Sequence, residues 1–92
     1  MESKKAIIVD DHKIFRESLA FMLVNQANIE VLAQANNGKE LIDFLKTTKP
    51  DIVLLDIEMP IMDGVEATRQ AILMHPDIKI LILSMHSKRF YS

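Results

Sequence analysis

Three runs of apolar residues in this chain lack the polar alternation of a half-wetted strand. Ile52 to Leu55 is the clearest. Four apolar residues in a row suit a strand covered on both faces of a parallel sheet. Ala6 to Val9 is a second such run, rich in β-branched residues, and Ile80 to Leu83, inside Lys79 to Ser84, is a third. Ile29 to Ala35 differs, because Ile29, Val31 and Ala33 alternate with Glu30 and Gln34. That period of two predicts an edge strand with one exposed face.

Between the strands the apolar period changes to that of a helix. Phe15, Leu19, Met22 and Leu23 fall at i, i+4, i+7 and i+8, predicting an amphipathic helix to about Val24 that stops over Asn25 to Asn28. After the turn at Asn36-Asn37-Gly38, Leu41, Ile42 and Leu45 repeat the stripe, and Thr47-Thr48-Lys49-Pro50 ends it. Beyond Gly64, Val65, Thr68 and Ile72 share one face with Ala67, Ala71 and Met74 beside it, giving a third helix that ends near His75-Pro76. The order β-α-β-α-β-α-β implies right-handed crossovers, a parallel sheet and helices on both of its faces. Ser87 to Ser92 suits the start of a fourth helix, and no fifth strand follows to cover Ile80 to Leu83. The expectation is a partial domain lacking its fifth strand and final helix, with a bare apolar edge that favours a homo-oligomer or a swapped dimer.

Composition narrows the function classes. With 92 residues, 49% of them hydrophobic, the chain can bury one core but not two. Eleven basic and 13 acidic residues leave a net charge of -2, so this segment has no electrostatic case for binding nucleic acid or an anionic membrane. The absence of cysteine excludes a disulfide framework and fits a reducing cytoplasm. No apolar run approaches the roughly 20 residues that span a bilayer, and Met-Glu-Ser-Lys-Lys leads into a strand, not a signal-peptide core. A soluble, cytoplasmic protein is expected.

The polar residues at the strand ends carry the chemistry. Asp10-Asp11, Asp56 and Ser84 each follow or close an apolar run. Open α/β sheets bind ligands beyond the carboxyl ends of their strands, and in a flavodoxin-like order the first and third strands are neighbours. Asp10, Asp11 and Asp56 then converge where the winding reverses. Clustered carboxylates repel one another unless a cation sits among them, and hard oxygen ligands with room for water suit Mg²⁺. A carboxylate beside such an ion can act as a nucleophile toward a phosphoryl group. After Asp56, Pro60 restricts Met59 to extended backbone, and Gly64 gives the loop a permissive entry to the next helix. Plainer roles compete with these. Asp10 and Asp11 could cap a helix, Ser84 could bond local backbone, and His12 reads as a solvated first-turn residue because Mg²⁺ prefers oxygen. His75 reads as a helix-end cation, Phe90 and Tyr91 as apolar cover, and the methionines as gap-fillers.

Val9-Asp10-Asp11, Leu55-Asp56 followed by Met59-Pro60 and Met62-Asp63-Gly64, and Ser84 together resemble the receiver domain of a bacterial two-component response regulator. Asp-Asp-His-Lys-Ile-Phe-Arg at 10 to 16 and Leu-Ser-Met-His at 83 to 86 are similar to the NarL/FixJ subfamily, whose output is a LuxR-type helix-turn-helix. The resemblance implies a CheY-like, flavodoxin-like doubly wound sheet, with 1 to 92 forming a receiver domain that ends near the start of its fourth helix. It implies that Asp56 accepts a phosphoryl group from a sensor histidine kinase, with Mg²⁺ held by Asp10, Asp11, Asp56 and the backbone carbonyl of Glu58. Ser84 would bond the phosphoryl group, while Glu58, Met85 and His86 flank the path of attacking water and tune the lifetime of the phosphorylated state. DNA would be reached only through an output domain absent from this sequence, and the receiver itself would signal rather than turn over a substrate. The family also carries a lysine at the end of a fifth strand, a place that neither Lys79 nor Lys88 can take. Two rivals stand beside this reading. One is a magnesium-dependent aspartyl phosphatase or phosphotransferase, with Glu58 as a weak candidate for its second acid. The other is a non-phosphorylated pseudo-receiver scaffold.

Overall fold

The computed structural model describes residues 4–56 and 64–83. They form β1 (Lys4–Val9), α1 (Lys13–Gln26), β2 (Ile29–Ala35), α2 (Gly38–Leu45), β3 (Ile52–Asp56), α3 (Gly64–Met74) and β4 (Lys79–Leu83). Every strand pairing is parallel and the spatial order is β2-β1-β3-β4, the flavodoxin-like arrangement expected from the alternation of elements. The connection from β2 to β3 passes over β1, so the winding reverses between β1 and β3. Those two strands carry the candidate acids at their carboxyl ends.

The unbroken apolar runs are sorted by the pleat into two cores. Ile7 and Val9 of β1 and Val53 and Leu55 of β3 point to one face, where Leu41 and Leu45 of α2 and Ala67 and Ala71 of α3 cover them. Ile8 and Leu54, the residues between, point to the other face and meet Ala20, Leu19 and Leu23 of α1. Both faces are therefore dry, which is why polar alternation is missing from these strands. α1 ends where Asn28 takes φ 54, a left-handed backbone that asparagine tolerates better than most residues. α2 opens on Asn37, whose side chain accepts a hydrogen bond from the Glu40 amide at 2.9 Å. Glu40 in turn reaches back to the Asn36 amide at 2.8 Å, a reciprocal cap displaced by one residue from the usual box. In α3, hydrogen bonds from Arg69 and then Gln70 hold the Glu66 carboxyl below its ordinary pKa.

Three local expectations are corrected. Met22 is 51% exposed, and the buried stripe of α1 is instead Arg16 and Ala20 flanked by Leu19 and Leu23. In α3 the buried positions are Gly64, Ala67 and Ala71, whereas Val65 and Ile72 face outward. Small residues line that face because α2 packs closely against α3. The alternation of β2 breaks at Leu32, where the register with β1 steps from Ala6↔Val31 to Ile7↔Ala33. The bulge turns Val31 toward α1 while Leu32 and Ala33 pack on the opposite core. β4 is an edge among the described residues, with Leu81 and Ile82 exposed, in keeping with the bare apolar edge expected at Ile80 to Leu83.

Candidate functional site

The acids are brought together by strand register. Val9 pairs with Leu55, so the next residues along, Asp10 and Asp56, stand side by side at the carboxyl edge of the two central strands. Asp10 continues the ladder on its other side, its amide donating to the carbonyl of Ala35 at 3.0 Å. The chain then turns into α1 within three residues. His12, not Asp10 or Asp11, is the N-cap of α1, which removes the capping role as an explanation for the acidic pair. The Oδ1 of Asp10 accepts the His12 amide at 2.8 Å, an Asx-type turn that directs this carboxylate across the strand ends.

One donor atom each from Asp10, Asp11, His12 and Asp56 lies within 4.8 Å of all the others. Asp10 and Asp56 are buried and form the floor, while Asp11 and His12 are exposed at the lip. The Nδ1 of His12 sits 3.1 Å from Asp10 Oδ1 and 3.0 Å from Asp11 Oδ1. His12 is therefore engaged by two carboxylates while its side chain stays exposed, as the solvated residue expected from sequence would be. Three carboxylates converging on a space that one ion can bridge, with an open side for water, fit Mg²⁺ by donor type. The imidazole is the least suited of the four groups to a hard cation. Ser84, Glu58, Met85 and His86 lie outside the described residues, as do residues 59–63.

Sequence reasoning missed the residue beneath this floor. Arg16 is 7% exposed although it is charged. Its Nη1 donates to the main-chain oxygen of Asp10 at 2.7 Å and to Asn36 Oδ1 at 2.6 Å, and its Nε donates to Gln34 Oε1 at 3.2 Å. A signal was present: Arg16, Ala20 and Leu23 follow i, i+4, i+7, so a charged residue occupied a stripe position.

A family model described as "Response regulator receiver domain" matches residues 6–92. The transcriptional regulatory protein DegU of Brevibacillus brevis is 40% identical over 85 residues, covering 92% of this chain and 36% of that protein. A protein-glutamate methylesterase/protein-glutamine glutaminase of Clostridium acetobutylicum is 42% identical over 89 residues, covering 97% of this chain and 26% of that protein. The chain thus spans about a third or less of the length of these curated relatives. Among solved structures, a two-component response regulator of the LuxR family from Aurantimonas superposes with a TM-score of 0.85 at 33% identity, over 92% of this chain and 61% of that one.

Proposed function

This chain belongs to the family of response regulator receiver domains, and on that premise we propose that Asp56 is its phosphoacceptor. The observation that carries the reading is a buried Asp56 closing a central strand, with Asp10 and Asp11 offering oxygens within 4.8 Å of it. Asp10, Asp11 and Asp56 would hold Mg²⁺, joined by the carbonyl of Glu58. The ion, when bound, supplies charge that offsets the oxygens of a phosphoryl group. An Asp56 carboxylate oxygen attacks the phosphorus in line, forming an acyl phosphate as the bond to the histidine of a sensor kinase breaks. Asp56 is buried at the end of β3, and His12 and Asp11, exposed at the lip, would frame the open side through which the donor enters.

Ser84 would bond the transferred group, and Glu58, Met85 and His86 would set how fast water removes it. Residues 1 to 92 would serve as the receiver portion of a transcriptional regulator in the cytoplasm, coupled to a LuxR-type DNA-binding output. That DegU is a transcriptional regulatory protein and the Aurantimonas protein a response regulator of the LuxR family supports that output. The methylesterase relative supports a reading in which a receiver that itself only signals can also be joined to a catalytic output.

Incubating the chain with a small-molecule phosphodonor and Mg²⁺, followed by intact-mass analysis, tests the proposal. A single adduct that needs Mg²⁺ and is lost in Asp56→Asn is expected. Continuous release of phosphate without an accumulating adduct would favour the aspartyl phosphatase, and no adduct at all in a full-length version would favour the scaffold.

A further inference from the structure

A guanidinium group that is 7% exposed loses nearly all of its hydration, and the fold has to return hydrogen bonds and charge in exchange. Arg16 makes no salt bridge among the described residues. Its hydrogen bonds go to three neutral oxygens, the Asp10 carbonyl, Asn36 Oδ1 and Gln34 Oε1, which belong to the ends of two different strands. The first of these oxygens belongs to Asp10, a member of the acidic cluster.

These partners share one property: they fix where Asp10 is. The Asp10 amide is held by Ala35 at 3.0 Å and its side chain by the His12 amide at 2.8 Å. The Arg16 bond to its carbonyl at 2.7 Å completes the set, so the peptide that follows Asp10 cannot rotate without breaking a charge-assisted bond. The same nitrogen is anchored at 2.6 Å on Asn36, and Asn36 is itself tied to Glu40 in the first turn of α2. Arg16 therefore references the position of Asp10 to the β2–α2 junction as well as to its own helix.

We infer that Arg16 is a positioning residue for the metal site, holding Asp10 in the geometry that receives Mg²⁺ through a guanidinium fork shared between the Asp10 carbonyl, Asn36 and Gln34. The inference rests on the reading of Asp10, Asp11 and Asp56 as the Mg²⁺ ligands. Lysine is the informative replacement. It keeps the positive charge but presents one compact ammonium where arginine presents separate nitrogens in a rigid plane, and so cannot hold all three oxygens at once.

The experiment is a Mg²⁺ titration of the chain followed by amide-resolved NMR, which reports only on folded molecules. A loss of stability lowers the signal but leaves the midpoint in place. Arg16→Lys is expected to move the midpoint about tenfold toward higher Mg²⁺, at the low end of what loss of a ligand-orienting partner costs, since the bond is to the backbone and not to the carboxylate. Asn36→Ala, which retains Arg16 but removes its anchor, is expected to shift the midpoint in the same direction, and the double variant to shift it by less than the two effects multiplied. Should Arg16→Lys fail to fold, the Asn36→Ala midpoint decides alone. A native chain that responds to Mg²⁺ at Asp10, Asp11 and Asp56 together with an unmoved midpoint in these variants would overturn the inference and leave the metal site intact. A midpoint that is native in Arg16→Lys but shifted in Arg16→Met would assign the effect to charge and also overturn positioning. No saturable response in the native chain would overturn both the metal reading and the inference.

Discussion

Asp10 and Asp56 set two carboxylates within 4.8 Å of each other, each almost sealed from solvent. At an effective dielectric of about 20, two unit charges at that separation repel by roughly 3 kcal/mol. Asp56→Asn removes one of them while keeping the shape of the side chain. The expected outcome in metal-free buffer is a net gain of about 1 kcal/mol after the amide's poorer hydrogen bonding is allowed for, read as a rise of roughly 4–8 °C in the melting temperature. Millimolar Mg²⁺ should reverse the ranking. The ion binds the native site and hardly the unfolded chain, so it raises the melting temperature of the native protein by mass action and that of Asp56→Asn much less. Thermal melts of both proteins with and without the ion check this, and curves that do not respond to Mg²⁺ would remove the metal from the account.

The elements that present these residues are not equally secured. α1 has no side-chain cap, and neither an acidic residue in its first turn nor a basic one in its last, so its place depends on Arg16, Ala20, Leu19 and Leu23 packing against the sheet. α2 is only eight residues long but carries the Asn37 cap and the returning bond from Glu40. An isolated helix of that length is not stable in water, so capping and the burial of Leu41 and Leu45 decide whether it forms. Asn37→Ala is expected to cost about 1 kcal/mol in chemical denaturation. Its effect should also appear as faster amide exchange through α2, since Glu40 loses its partner. Equal denaturation midpoints for the two proteins would mean that burial alone holds the helix.

At the scale of the molecule the described sheet has unlike edges. β2 shows mostly half-buried residues, whereas β4 exposes Leu81 at 51% and Ile82 at 41% beside a backbone that pairs on one side only among the described residues. Apolar side chains next to a row of unpaired backbone groups favour pairing with another copy of the chain. Light scattering is expected to give a mass that rises with concentration, and Leu81→Lys to bring it back toward the monomer. A concentration-independent monomer for the native chain would show that this edge is covered from within.

Much of this was written in the order of residues. The unbroken runs at Ala6 to Val9 and Ile52 to Leu55 determined buried parallel strands, because a strand covered on both faces has no need of polar alternation, whereas the same pattern at Ile80 to Leu83 lies on an exposed edge among the described residues. Asn28, the Asn37–Gly38 turn and Pro50 determined where helices begin and end, because those are preferences of a residue's own backbone. The sequence also determined the candidate acids, since strand-end carboxylates can be recognised from local pattern alone. Tertiary structure decided the rest. Whether Arg16 or Met22 faced the sheet depended on about one residue of helix rotation, and a charged side chain enters the core only because Asp10, Gln34 and Asn36 place oxygens there from elsewhere in the chain. The bulge at Leu32 follows from matching β2 to β1, which neither strand encodes by itself. That His12 would lean on two carboxylates was likewise not legible, because its neighbours in space are set by the parallel pairing of β1 with β3 and the three-residue turn into α1.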